Sequence, residues 1–131
     1  MTTSITLAGV GIHTGASARV TLSVASTPGI HIHTESGSIT LAPEHVTETT
    51  RCTVIGNGSV RVSTVEHLSA ACTALGVTAL DVTLNGPELP IGDGASLFWM
   101  KALADLGFVD ENPTWYEIPH AIEVPGANGA F

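Results

Sequence analysis

The sequence predicts an α+β two-layer sandwich, a mainly antiparallel sheet with two helices on one face. Three observations lead to it. Several short runs alternate apolar with polar side chains, as half-buried strands do. Two longer stretches repeat apolar side chains at helical spacing, and a strand-like run separates them. A length of 131 residues allows one domain with a real core and falls short of two full domains.

Residues 4–8 read as a short strand. Gly9-Val10-Gly11-Ile12-His13-Thr14-Gly15 follows, and three glycines in seven residues mark a turn or a backbone held close to something else. In residues 17–24, Val20, Leu22 and Val24 alternate with Arg19, Thr21 and Ser23, a half-buried strand that Thr27-Pro28-Gly29 breaks. Residues 30–34 alternate again, with His31 and His33 opposite the isoleucines. Two histidines so spaced on a strand can hold a metal, but no third ligand stands near them in sequence, and a solvated strand face explains them better. A further short strand is expected at 39–41. Residues 50–55 and 59–62 flank Gly56-Asn57-Gly58, and Asn-Gly between alternating runs is a strong hairpin signal.

The first helix is expected from Ser63. That serine precedes Glu66 by three residues, the spacing of a capping box, while Val65, Leu68, Cys72 and Leu75 form an apolar stripe and Gly76 a stop. Residues 77–84 are expected as a strand under this helix, with Leu80, Val82 and Leu84 on one face. The stretch from Asn85 to Gly94 is too rich in glycine and proline for regular structure. A second helix is expected over 95–106, with Leu97, Met100, Leu103 and Leu106 inward and Gly107 as its stop. Residues 115–118 and 121–124 look strand-like.

Charge excludes several functions. Twelve acidic and four basic side chains give a formal net charge of -8, which argues against nucleic acid or an anionic membrane surface as partner. Only 12% of residues are charged, against about a quarter in an average protein, so part of the surface is expected to lie against something else. No apolar run approaches the roughly 20 residues of a membrane span. With no signal-like start and two cysteines that match no disulfide scaffold, the expected location is the cytoplasm, with Cys52 and Cys72 reduced.

Chemistry is expected at Glu66 and His67. The positive end of a helix suits an ionised carboxylate and a neutral imidazole, a proton acceptor beside a metal ligand. A zinc ion with a carboxylate at its side is an arrangement for activating water in amide hydrolysis. The plainer alternative is that Glu66 closes a capping box and His67 is a surface residue. One histidine is also not a zinc site, since catalytic zinc needs three protein ligands. His13, His45 and His120 have no spacing that recruits them. Asp93, between two glycines, reads as a turn residue, and Arg51 and Arg61 as a solvated strand face.

Four segments in order carry a resemblance: residues 9–15, Arg51-Cys52-Thr53, Val62-Ser63-Thr64-Val65-Glu66-His67-Leu68, and Gly86-Pro87-Glu88-Leu89-Pro90-Ile91-Gly92-Asp93-Gly94. Together they resemble the N-terminal domain of the UDP-3-O-acyl-N-acetylglucosamine deacetylase family, zinc enzymes of lipid A biosynthesis, over nearly the whole chain. The resemblance implies that Glu66 is the general base, that His67 is a zinc ligand, and that Thr50, Arg51 and Cys52 lie at a UDP-acyl-GlcNAc-type substrate. It divides the chain into a deacetylase-like domain at 1–112 and, at 113–131, a linker and first strand like the start of a second domain.

The departures are as informative. Family members carry a second domain with a His-Lys-x-x-Asp motif that supplies the other zinc ligands, and no such motif occurs here. Gly92 stands where methionine is usual, and Ala95-Ser96-Leu97-Phe98 replaces Ser-Ala-x-Pro-Phe. Two readings follow. In one, this is the N-terminal half of a zinc-dependent deacetylase, inactive without its second half and either cut from a longer chain or working with a separately made C-terminal half. In the other, it is a stand-alone, non-catalytic binding domain that covers the exposed face with a protein or a second copy of itself. A metal hydrolase using His31 or His33 is a third, weaker reading.

Overall fold

The computed structural model describes residues 3–109, 117–126 and 129–130. A five-stranded sheet is built from β1 (Ser4–Val10), β2 (Ser17–Val24), β3 (Gly29–Thr34), β4 (Gly37–Thr40) and β8 (Ala79–Asn85) in the order β1-β2-β8-β3-β4. All neighbours are antiparallel except β3 and β8, which run parallel with Ile30 opposite Leu80 and Ile32 opposite Val82. A smaller antiparallel sheet joins β5 (Val46–Glu48), β6 (Val54–Gly56) and β7 (Arg61–Ser63). Two helices, α1 (Glu66–Ala74) and α2 (Leu97–Asp105), pack on each other. This is the α+β sandwich that the alternation predicts.

The core follows the period-two pattern. Val20, Leu22, Ile32, Leu80, Val82 and Leu84 point to one face of the large sheet and are buried with Leu68, Ala71 and Cys72 of α1 and Trp99, Ala102 and Leu103 of α2. The opposite face carries a row of polar side chains, Thr6, Thr21, Thr83, His33 and Ser38, held side by side by the strand register. A parallel β3–β8 pair requires the chain to cross over, and the small sheet and α1 form that crossover.

Both helices stop as expected. After α1, the amide of Gly76 donates to Thr73 at 3.3 Å and that of Val77 to Cys72 at 2.8 Å; after α2, Gly107 donates to Ala104 at 2.9 Å and Phe108 to Leu103 at 3.0 Å. This is the Schellman pattern, and Gly76 and Gly107 take the positive φ it needs, 62° and 96°. The Asn57-Gly58 hairpin also forms: Asn57 donates its amide to Val60 and accepts from the Val60 amide through Oδ1, each at 3.1 Å.

Several elements differ from expectation. Helix α1 starts at Glu66, because Ser63 is the last residue of β7 and its amide donates to the Pro87 carbonyl at 3.2 Å. No capping box forms there; the Ser63 hydroxyl accepts from Arg61 at 3.0 Å, and α1 has no side-chain cap. Residues 50–53 are a bend rather than strand, and β5 with the 3-10 turn at Pro43–His45 comes from a stretch where no element is expected. In α2, Leu97 is exposed and Trp99 is buried, so the inner face is rotated from the expected one. Residues 121–124 form no strand: their side chains are exposed, and among the described residues none pairs with them. Trp115 and Tyr116 lie outside the described residues. Two-residue strands β9 (Pro125–Gly126) and β10 (Gly129–Ala130) pair beyond them.

Candidate active site

The chain leaves β7 and turns sharply before it enters α1. The turn is at Thr64, a β-branched residue at φ 61°, and the other non-glycine residue with positive φ among those described is Arg51, at 63°. Both flank one short contact zone. The amides of Thr64 and Val65 donate to the Thr53 carbonyl at 3.0 and 3.4 Å. In return, the Thr53 amide donates to Oε2 of Glu66 at 3.2 Å. The first residue of α1 is thus tied to the segment after Arg51-Cys52.

Glu66 is half-buried and borders an open cavity of about 440 Å³. Leu41, Pro43, Val46 and Ile55 make much of its lining apolar, and Thr53 and Ser69 add polar groups beside Glu66. His67 is also half-buried but does not line it. Consecutive helical positions diverge by about 100°, which accounts for the separation. Thr50 and Arg51 are exposed and Cys52 is half-buried, one to three residues from the Thr53 amide that holds Glu66.

These donors do not make a zinc site by themselves. Among the described residues no three His, Cys, Asp or Glu side chains stand together as metal ligands. His31 and His33 are occupied elsewhere: His33 bridges Ser38 and Asp81 at 2.8 Å each, and His31 meets Thr40 and Thr27 at 3.2 and 3.3 Å. Asp93 is exposed and accepts from the Ala95 amide at 3.0 Å, a turn contact. Arg61 pairs with Glu48 at 2.9 Å on the small sheet.

The residue that sequence reasoning missed is Glu88. It lies in the Gly-Pro loop yet is only 1% exposed. Its carboxylate accepts from the Thr64 hydroxyl at 2.7 Å, the Thr14 amide at 2.9 Å, the Thr14 hydroxyl at 2.8 Å and the His13 amide at 3.2 Å. Burial alone would raise its pKa, but these bonds from Thr64, Thr14 and His13 outweigh burial and bring the carboxyl down to about 2. A Cβ at Gly11 would overlap this carboxylate, which explains a glycine in the loop that wraps it.

The order of these segments, and the placing of Glu66 and His67 at a strained strand-to-helix turn, can be compared with known proteins. A model of the UDP-3-O-acyl N-acetylglycosamine deacetylase family (LpxC) matches residues 1–129. The chain belongs to this family. It is 45% identical over 107 residues to a UDP-3-O-acyl-N-acetylglucosamine deacetylase of Phenylobacterium zucineum, covering 76% of this chain and 36% of that protein. It is 40% identical over 114 residues to the enzyme of that name from Brucella melitensis, covering 83% of this chain and 40% of that protein. The chain therefore spans well under half the length of these curated relatives. No helix among its described residues is long and apolar enough to cross a membrane.

Proposed function

We propose that this chain is the N-terminal half of a zinc-dependent UDP-3-O-acyl-N-acetylglucosamine deacetylase of lipid A biosynthesis, inactive without a second half. The observation that carries this reading is the family match over residues 1–129, combined with a donor set around Glu66 and His67 that falls short of three ligands among the described residues. In this reading, the deacetylase-like domain ends at residue 112, and residues 113–131 lead into the second half. The reaction takes place in the cytoplasm, where Cys52 and Cys72 stay free.

Glu66 takes the proton of the water that attacks the N-acetyl carbonyl, and as the C–N bond breaks that proton passes to the nitrogen, so that acetate and the free amine of the sugar are released. Its fixed hydrogen bond from the Thr53 amide leaves the second carboxylate oxygen for that water. His67 would supply one zinc ligand, and the second half the others. Zinc, when bound, polarises the water; one imidazole alone leaves most of its coordination to solvent. Thr50, Arg51 and Cys52 contact the substrate near Glu66. The second half, or failing that a second copy of this chain, covers exposed Val10, Ile12 and Leu97, which flank the packed contacts of Gly9 with Pro90 and Gly92 with Phe98.

Mixing the chain with a separately made C-terminal half of a family member, zinc and substrate should release acetate, and Glu66→Ala should abolish the release. A folded, zinc-loaded mixture without turnover overturns the proposal. It would favour the non-catalytic reading, in which the same exposed side chains bind another protein or pair two copies.

A further inference from the structure

The Glu88 carboxylate has four donors, and the one from Thr64 is buried. Three belong to the glycine-rich loop at residues 11–15, the His13 amide and the amide and hydroxyl of Thr14, and one is the hydroxyl of Thr64, so a single buried anion ties three distant segments together. Thr64 is the point of interest. A β-branched residue at φ 61° is disfavoured because its Cβ crowds the backbone, and such conformations persist only where the surroundings over-determine them. Here the surroundings are two bonds, the Thr64 amide to Thr53 at 3.0 Å and the Thr64 hydroxyl to Glu88 at 2.7 Å. The next residue, Val65, is buried at 2% exposure, and Glu66 and His67 follow directly.

We propose that Glu88 is a positioning residue: by holding Thr64 in its left-handed conformation it sets where the N-terminus of α1 presents Glu66 and His67. This rests on the role proposed above for Glu66 and His67, but the conformational claim is tested without any activity. The backbone supports it on both sides. Glu88 pairs with Ser63 in a parallel bridge, and the Leu89 amide donates to the Ser63 carbonyl at 3.1 Å, so the carboxylate and the turn it holds share one rigid frame. The carboxylate does not touch Glu66 or His67; it acts through the turn.

The test is a cycle of Glu88→Gln, Thr64→Gly and the double variant in the isotopically labelled 131-residue chain, read by amide chemical shifts. Glycine adopts φ near +60° without help. Positioning predicts that Glu88→Gln displaces the Thr53, Glu66 and His67 amide signals more than those of α2 or β1. It also predicts that the same change in the Thr64→Gly background displaces them far less. Equal displacement in both backgrounds, or no displacement at Glu66 and His67, overturns it. If Glu88→Gln does not fold, Thr64→Val removes the hydroxyl alone and Thr64→Ser keeps it. Valine must then displace the Glu66 and His67 signals and serine must not; any other result overturns the proposal.

A second reading uses the reconstituted enzyme. There Glu88→Gln should lower kcat about tenfold to a hundredfold with little change in KM, as loss of a supporting contact does. A mixture inactive even with the native chain would sink the proposed function and leave the amide-shift result standing.

Discussion

The Thr64 hydroxyl donates to Oε1 of Glu88 at 2.7 Å, joining a residue at φ 61° to a carboxylate that faces no solvent. This bond lies at the meeting point of β7, α1 and the glycine-rich loop. It makes the turn that presents the candidate site depend on a residue 24 positions away.

Acid should reveal the Glu88 network as a loss of stability. The carboxyl lies near 2 in the folded chain against an ordinary 4.5, so the unfolded chain binds the proton more readily. Its stabilisation is complete above pH 4.5 and is lost as the pH falls from 4.5 towards 2. A shift of this size is worth about 3 kcal/mol. Urea midpoints measured from pH 6 down to pH 2.5 should fall for the native chain. Glu88→Gln should be less stable at pH 6 and much flatter below 4.5; parallel curves would refute the assignment.

Glu66 offers two separable losses. Glu66→Gln keeps an oxygen for the Thr53 amide but cannot take a proton, whereas Glu66→Ala loses both. In the reconstituted enzyme both variants should lose turnover. Thermal unfolding of the chain alone should separate them, with alanine costing about 1 kcal/mol more than glutamine. Turnover by Glu66→Gln near the native rate would remove Glu66 as the base.

Much of this fold is legible in the sequence because its signals are local. Val20 and Leu22 alternate with Thr21, and the strand that results has those boundaries. Asn57-Gly58 and the stops at Gly76 and Gly107 depend on φ, which single residues decide. The capping box fails because its residues are claimed by more distant partners: Ser63 by Pro87, and Glu66 by Thr53. Glu88 is illegible for the same reason, since a glutamate in a Gly-Pro loop reads as solvated until residues 13, 14 and 64 are brought onto it. Its one hint is an apolar setting, Pro87 before it and Leu89-Pro90-Ile91 after it. The Glu66-His67 pair is visible as chemistry, but periodicity alone cannot set it apart from a capped helix.

The two cysteines should react very differently. Burial pushes the Cys72 thiol up to about 12, while Cys52 is half-exposed in the bend before Thr53. Alkylation at pH 8 followed by mass spectrometry should label Cys52 in the native chain and Cys72 only under unfolding conditions, because the thiolate is the reactive form. Equal labelling rates would mean that α1 opens far more often than its packing implies.

Gly92, which departs from the family's usual methionine, should prove intolerant of any side chain. Its φ is 60°, and a Cβ there would overlap the ring of Phe98, which packs directly over it. Gly94 is the control: its φ is 77°, but nothing lies within 4 Å of where its Cβ would be. Gly94→Ala carries only the cost of left-handed backbone, about 1 kcal/mol. Gly92→Ala carries that cost together with displacement of Phe98, for a total of about 2–4 kcal/mol. Phe98 stacks edge-on against Trp99 at 5.2 Å, so the damage should spread to the start of α2. Denaturant titration gives the two energies, and tryptophan fluorescence should shift for Gly92→Ala but not for Gly94→Ala. Equal costs would show that the backbone alone, and not the Phe98 ring, demands glycine at position 92.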